Sequence, residues 1–240
     1  MDESLKKEDK SKTSFAHFKA PPVDTEEDGS AMEPSGEPEI IEAIRCIKVS
    51  PDGATLAAGD LEGNIRIYDL TEAEDVKLVK LIEAHDKEII CLAYSPNLSE
   101  NGAERYWLAS GSRDKLITIF DSSHGYEAIG LLPSHLQTVT SVAFREVTVK
   151  SIGGLRKTVQ LFTSGADRLL TGNVIDSTQL PKDLEDLQME DDLFIDEKNV
   201  HSSEKMFSMG CAERANVMVT GHERELKLWS LPNLQPLEWE

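Results

Sequence analysis

The chain has 240 residues, 39% apolar and 29% charged, and its 25 Lys and Arg against 44 Asp and Glu leave a formal net charge of -19. That length supports one core or two small ones, and the acidity repels phosphate backbones, so neither general nucleic-acid binding nor membrane-surface binding is expected. No apolar run approaches the roughly 18 residues a membrane helix needs, and the three scattered cysteines, Cys46, Cys91 and Cys211, suit neither a disulfide framework nor a thiolate metal site and point to a reduced, intracellular setting.

Residues 1–39 open on Lys6, Lys7, Lys10 and Lys12 and turn acidic through Asp24, Glu26, Glu27 and Asp28, with Pro21, Pro22, Pro34 and Pro38 between them. Too little there can be buried to offset the entropy of ordering, so a disordered acidic tail is expected. Residues 40–176 then repeat a pattern. Ile44 to Val49 alternates and turns at Ser50-Pro-Asp-Gly53, Thr55 to Gly59 follows, and after a turn at Glu62-Gly63-Asn64 comes Ile65 to Asp69. Gly53 and Gly63 fit hairpin positions that need positive φ. The order returns as Ile89 to Pro96, Trp107 to Gly111, Ser112 to Lys115 and Leu116 to Asp121. It returns again as Val139 to Phe144, Gln160 to Gly165 and Ala166-Asp167, and weakens near Gly172-Asn173. Apolar stretches from Val76 to Ile82 and from Ala128 to Leu132 lie between the copies, so each unit has four strands. Residues 177–205 read as an acidic loop, and its Asp183, Glu185, Asp186, Glu190, Asp191 and Asp192 would attract a basic partner. Residues 206–240 hold a partial fourth unit, Val217 to Gly221, His222-Glu-Arg-Glu225 and Leu226 to Trp229.

Cys46 and Cys91 are 45 residues apart, and Cys91 and the aligned Ser141 are 50 apart, the longer gap coming from the inserted loop at Asn97 to Arg105; a second insertion, Lys150 to Thr158, lengthens the unit that follows. Four-stranded units of that period are the signature of WD40 propeller blades. The fold class is therefore all-β, with about three recognisable WD40 β-propeller blades and a partial fourth in an incomplete propeller. Alternation places Ile47, Val49, Leu56, Ala58, Ile65, Ile67, Leu92, Tyr94, Leu108, Ile117, Ile119, Val142, Phe144 and Phe162 in the core and sends Lys48 and Arg66 to solvent. The only candidate for a ring-closing strand is Glu39-Ile-Ile-Glu42. An arc without closure leaves apolar faces in water, so the chain reads as a fragment or shortened product that self-associates.

Ile44 to Gly53, Ala58-Gly-Asp60 through Ile67, Glu83-Ala-His-Asp86, Ala109 to Ile117 and Ser164-Gly-Ala-Asp167 resemble the WD40 family of mitogen-activated protein kinase-binding protein 1 and WD repeat-containing protein 62. The resemblance runs from about Ile44 to Leu170, beyond which the chain departs from it. It implies large scaffolds with two propellers and a long C-terminal region, associated with stress-activated kinase signalling and, in one branch, with mitotic spindle poles. The expected function is a non-catalytic scaffold or adaptor for other proteins, cytoplasmic or at the cytoskeleton or spindle pole. The alternative is an RNA-associated WD40 subunit, for which Arg113, Lys115, Arg145, Lys150, Arg156 and Lys157 offer a thin basic set.

His85, Ser110 and Asp114 have the residue types of a hydrolytic triad. The same positions match the polar network of WD40 blades, with Phe120 as its aromatic end, and the set recurs as His135, Ser164 and Asp167. Recurrence argues for architecture rather than a unique active site. No catalytic residue, cofactor or metal is expected. Ser50-Pro51 and Ser95-Pro96 have the form of proline-directed phosphorylation sites, yet they share one turn position in successive repeats and read as turn residues.

Overall fold

The computed structural model describes residues 43–72, 75–98, 104–132, 134–151, 154–175, 194–212 and 216–238. Within them sixteen strands form four antiparallel sheets of four. Blade 1 is β1 (Ile44–Val49), β2 (Thr55–Asp60), β3 (Asn64–Asp69) and β4 (Lys77–Glu83). Blade 2 is β5 (Ile89–Tyr94), β6 (Trp107–Ser112), β7 (Ile117–Asp121) and β8 (Glu127–Leu132). Blade 3 is β9 (Val139–Ser151), β10 (Gly154–Gly165), β11 (Leu169–Ile175) and β12 (Phe194–His201). Blade 4 is β13 (Met206–Ala212), β14 (Val217–His222), β15 (Leu226–Ser230) and β16 (Gln235–Leu237). Every sheet runs in sequence order from its first strand to its fourth, and β1, β5, β9 and β13 adjoin one another in succession. The blades thus form an arc with their first strands on the inside.

Three apolar clusters fill the three junctions. Ile65, Ile67 and Ala57 of blade 1 meet Leu92, Tyr94, Leu108 and Phe120 of blade 2. Ile117, Ile119 and Ala109 meet Val142, Phe144 and Leu161 at the second junction. Phe162 and Leu170 meet Met218, Trp229 and, at its margin, Met209 and Cys211 at the third. Strand alternation makes this possible, because each sheet sends one set of apolar residues to the preceding blade and the other to the following one.

The fourth unit is a full blade, since Leu228 pairs with Leu237 and Trp229 with Pro236 to add β16. Blade 3 is likewise complete. The stretch expected as acidic loop ends earlier than its composition suggests, because Phe194–His201 pairs with β11, Leu169 facing His201 and Thr171 facing Asn199. The insertion at Lys150 to Thr158 is no irregular loop but the far half of a long β9–β10 hairpin, paired from Gly165 and Val139 out to Gly154 and Ser151. At Asn97 to Arg105 the described ends are zipped together, with Leu98 donating to the Arg105 carbonyl at 2.8 Å. Residues 1–42, with Glu39-Ile-Ile-Glu42 among them, lie outside the described residues.

Of the residues expected in the core, Ile47 and Val49 are instead 63% and 47% exposed and Leu56 is half-buried; the others are buried. β1 sends Ile47 and Val49 toward the side where a preceding blade would stand, and among the described residues blade 1 has none. Arg66 departs in the other direction: it is 3% exposed and pairs with the buried Asp60 carboxylate. Asp60 also accepts from the Glu62 and Asn64 amides at 2.9 and 2.8 Å, so one carboxylate ties the β2–β3 turn and neutralises the guanidinium. Lys48 is exposed, as expected.

Gly63 has φ of +96°, and a Cβ added there would collide with the His85 carbonyl. Gly53 has φ of +75° in the turn after β1. Both positions need glycine for the reason their turns suggested.

Candidate functional site

The histidine, hydroxyl and carboxylate lie far apart in sequence and converge through blade topology. His85 sits in the connection from β4 to β5, Ser110 on β6 and Asp114 in the β6–β7 turn. His85 Nδ1 lies 2.9 Å from Asp114 Oδ2, and its Nε2 lies 2.7 Å from Ser110 Oγ. With the imidazole neutral, Nδ1–H donates to the carboxylate and Nε2 accepts the serine proton. Asp114 also accepts from the Asp86 amide at 3.2 Å and the Leu116 amide at 2.9 Å. One carboxylate therefore holds the incoming connection, the turn and the ring. Burial pushes the His85 pKa below its ordinary value, the attraction of Asp114 opposing this without overcoming it.

Blade 3 repeats the arrangement with one change of partner. His135 Nδ1 lies 3.1 Å from Asp167 Oδ1, and Nε2 meets Thr163 Oγ1 at 2.8 Å. The expected Ser164 is not in this network; its hydroxyl lies 3.1 Å from Thr140 Oγ1. Counting back from the turn aspartate would have found the right residue, because Ser110 and Thr163 each stand four positions before Asp114 and Asp167. Burial likewise pushes His135 below its usual range, against the pull of Asp167.

Phe120 fills the aromatic position and packs into the first junction, but a phenyl ring has no proton to donate, so it does not join the hydrogen bonds. Trp229 does so in blade 4, its Nε1 donating to Thr220 Oγ1 at 2.8 Å, with His222 Nε2 at 2.9 Å from the same hydroxyl. Blade 1, with Ala58 at the hydroxyl position, uses the Asp60–Arg66 pair instead.

The two triad-like clusters are sealed. Ser110 is fully buried and the side chains of His85 and His135 have no exposure, so no substrate carbonyl reaches the hydroxyl of Ser110 while the blade is folded. The Ser-Pro sites are equally enclosed. Ser95 Oγ accepts from the Trp107 amide at 2.8 Å, Ser50 Oγ accepts from the Thr55 amide at 2.9 Å, and both residues are buried. At the equivalent place in blade 3 stands Arg145, which donates to Asn216 Oδ1 across the third junction.

Two features escaped the sequence. Asp121, directly after Phe120, accepts from Arg105 at 2.5 Å and from His124 at 3.0 Å. Burial raises its pKa, but the hydrogen bonds from Arg105, Ser123 and His124 prevail and hold it below the usual carboxylate range. A second polar cluster joins blades 1 and 2, where Tyr94 and Tyr126 hydroxyls meet at 2.9 Å and Thr55 Oγ1 lies 3.0 Å from that of Tyr126. Cys46 is pushed up to about 11 by burial and Cys91 higher still, so both thiols stay protonated and pack as small apolar groups.

Among the described residues no group of three or more His, Cys, Asp and Glu could hold a metal ion, and no helix is long and apolar enough to cross a membrane. Asp183, Glu185, Asp186, Glu190, Asp191 and Asp192 lie outside the described residues.

Four-stranded blades with a histidine, a strand hydroxyl and a turn aspartate in two of them define these units as WD40 repeats of a β-propeller. Residues 76–121 match the WD domain, G-beta repeat family, and residues 35–97 match the anaphase-promoting complex subunit 4 WD40 domain. The chain is similar to WD repeat-containing protein 62 of Mus musculus, 38% identical over 52% of this chain and 7% of that protein. It is also similar to mitogen-activated protein kinase-binding protein 1 of Homo sapiens, 40% identical over 42% of this chain and 6% of that protein. The chain thus spans under a tenth of the length of these relatives. The solved structure of U3-55K superposes with a TM-score of 0.58 at 20% identity, covering 82% of this chain and 51% of the other, a likeness of fold.

Proposed function

We propose that this chain is a non-catalytic adaptor whose blades carry loops for other proteins, acting in stress-activated MAP kinase signalling or at the spindle pole. The observation that carries the adaptor reading is that both histidine–hydroxyl–aspartate clusters are spent on holding blades together, in sealed positions, at equivalent places in successive repeats. Nothing is left over in them for chemistry, whereas the turns that they brace present Arg113 and Leu136 to solvent. The signalling and spindle-pole assignments rest on the similarity to mitogen-activated protein kinase-binding protein 1 and WD repeat-containing protein 62 over about half of the chain.

In this reading residues 1–39 are a tail, residues 40–176, β12 and residues 206–240 supply blades, and the acidic segment between β11 and β12 is the partner-binding loop. The segment suited to deletion is 178–192, which spares β12. Its removal leaves the melting temperature unchanged and weakens a salt-sensitive interaction, since an acidic loop acts chiefly on encounter with a basic partner. Affinity purification of the full chain and of the deletion from stressed and mitotic cells tests the assignment. A stress-activated kinase or spindle-pole component retained by the full chain and diminished by the deletion supports it. A set of RNAs that dissociates with rising salt would favour the RNA-associated reading instead.

A further inference from the structure

Among the described residues two arginines are buried, and they are served differently. Arg66 is 3% exposed and pairs with the Asp60 carboxylate. Arg145 is 9% exposed, and its Nη2 donates to a neutral group, Asn216 Oδ1, while Nε and Nη1 are buried and meet no acceptor of the protein. A guanidinium does not shed its proton, so Arg145 keeps its charge at a place where an unmatched charge is costly. Beside it stands a second unmatched group. Gln160 pairs directly with Arg145 across the β9–β10 ladder, which puts both on one face of the sheet. That face is the one of Phe162, two residues on in β10, and Phe162 belongs to the third junction. Gln160 is 1% exposed, and its Oε1 meets no donor.

The blade architecture does not ask for this pair. In blades 1 and 2 the place of Arg145 is held by Ser50 and Ser95, and the place of Gln160 by Thr55 and Trp107. There the serine hydroxyl accepts from the amide of the residue facing it, so the position satisfies itself. In blade 3 the chain departs from its own repeat and sets two kinds of unmet demand side by side, donors on Arg145 and an acceptor on Gln160. Buried polar groups of a folded chain are matched as a rule, so an exception of this kind calls for a partner that supplies both acceptors and a donor.

We propose that this end of the third junction binds a small oxyanion that keeps a hydroxyl at neutral pH, of which hydrogen phosphate is the example. Its charged oxygens accept from Arg145 Nε and Nη1, and its hydroxyl donates to Gln160 Oε1, so one ion answers both residues and neutralises the guanidinium. Sulfate offers the same oxygens without the hydroxyl. A phosphate monoester has largely lost its last proton above its second pKa of about 6 and brings a substituent as well, so the free ion fits better than a phosphorylated side chain. The way in is marked by Asn216, which is exposed in the β13–β14 turn with a φ of +52° and reaches Arg145 from the surface; its side chain moves aside to admit the ion. The proposal is independent of the signalling reading, which concerns loops rather than the space between blades.

The test is thermal melting and phosphorus NMR of the full chain with inorganic phosphate, sulfate and O-phosphoserine at constant ionic strength. Phosphate raises the melting temperature of the wild-type chain along a saturating curve, as a ligand of the folded state does, and its resonance broadens. Sulfate and O-phosphoserine bind about tenfold more weakly, the loss of one hydrogen bond in a buried site. Arg145→Met replaces the charge by an apolar chain, a change that buried sites tolerate, and leaves only the unsaturating rise that an excluded salt gives any protein. Gln160→Leu binds phosphate and sulfate alike. Circular dichroism checks that the blades persist; should Arg145→Met lose them, Gln160→Leu still decides, because its loss of preference is read between two ions on one folded chain. A wild-type response that does not saturate, or that Arg145→Met shares, overturns the proposal and leaves the two residues to water. Equal binding of phosphate and sulfate by the wild-type chain, or O-phosphoserine bound as tightly as phosphate, overturns it too.

Discussion

Asp114 and Asp167 each accept hydrogen bonds from a histidine and from backbone amides of two segments, so replacing either removes several partners at once. Asp114→Ala leaves the Asp86 and Leu116 amides and His85 Nδ1 without their acceptor, in a site where water has little access. The expected loss is about 3 kcal/mol, read as a fall in melting temperature of roughly 6 to 12 °C for a chain of this size. Thr163→Val, which keeps the shape and removes the hydroxyl shared by His135 and Thr171, costs more than Ser164→Ala by calorimetry if Thr163 is the network residue. The histidines also set a pH dependence. Both have folded pKa values held below the ordinary one, so the unfolded chain takes up protons that the folded chain refuses. Their contribution is fully present above the unfolded value of about 6.5 and is lost as pH falls below it. The melting temperature should hold steady near neutrality and drop on acidification, and His85→Gln with His135→Gln should lower it at neutral pH while flattening that acid limb.

Within an element the backbone decides as much as the side chain does. Gly63 meets both constraints on a glycine, a positive φ and a carbonyl in the way of any Cβ, while Gly210 on β13 has nothing within 4 Å of one. Gly63→Ala is therefore expected to destabilise blade 1 by about 2 to 4 kcal/mol and Gly210→Ala to change little, a contrast that denaturant titration reads directly. The strands themselves were legible wherever alternation met a turn signal, which is why β1 to β3, β5 to β7 and β14 to β15 could be placed from composition and spacing. β12 was hidden because its acidic neighbours dominate the window, and pairing with β11 needs a partner that no local pattern reveals. The β9–β10 extension was hidden for the opposite reason: it lies in an insertion that length alone marks as a loop. Arg66 looked solvent-bound because alternation ranks a guanidinium as polar, whereas the carboxylate six residues earlier turns it into a buried pair. Thr163 was within reach of a four-residue count and Trp229 stood in plain view, but that Phe120 would contribute only packing follows from its lack of a donor.

At the scale of the whole arc, a blade's stability depends on how many neighbours it has, because blades in a repeat protein draw much of their burial from the adjoining units. Blades 2 and 3 are covered on both faces. Among the described residues blades 1 and 4 are each covered on one, and Ile47, Val49 and Leu226 show what the other face leaves exposed. In a single arc the end blades should therefore open before the middle ones, with local unfolding free energies graded from the ends inward. Hydrogen exchange followed by mass spectrometry checks this without any assumption about the partner. Amides of β2 and β14 should exchange faster than those of β6 and β10. Equal protection of all four blades would mean that the end faces contribute little and that each blade is held mainly by its own hydrogen-bonded ladder and turn network.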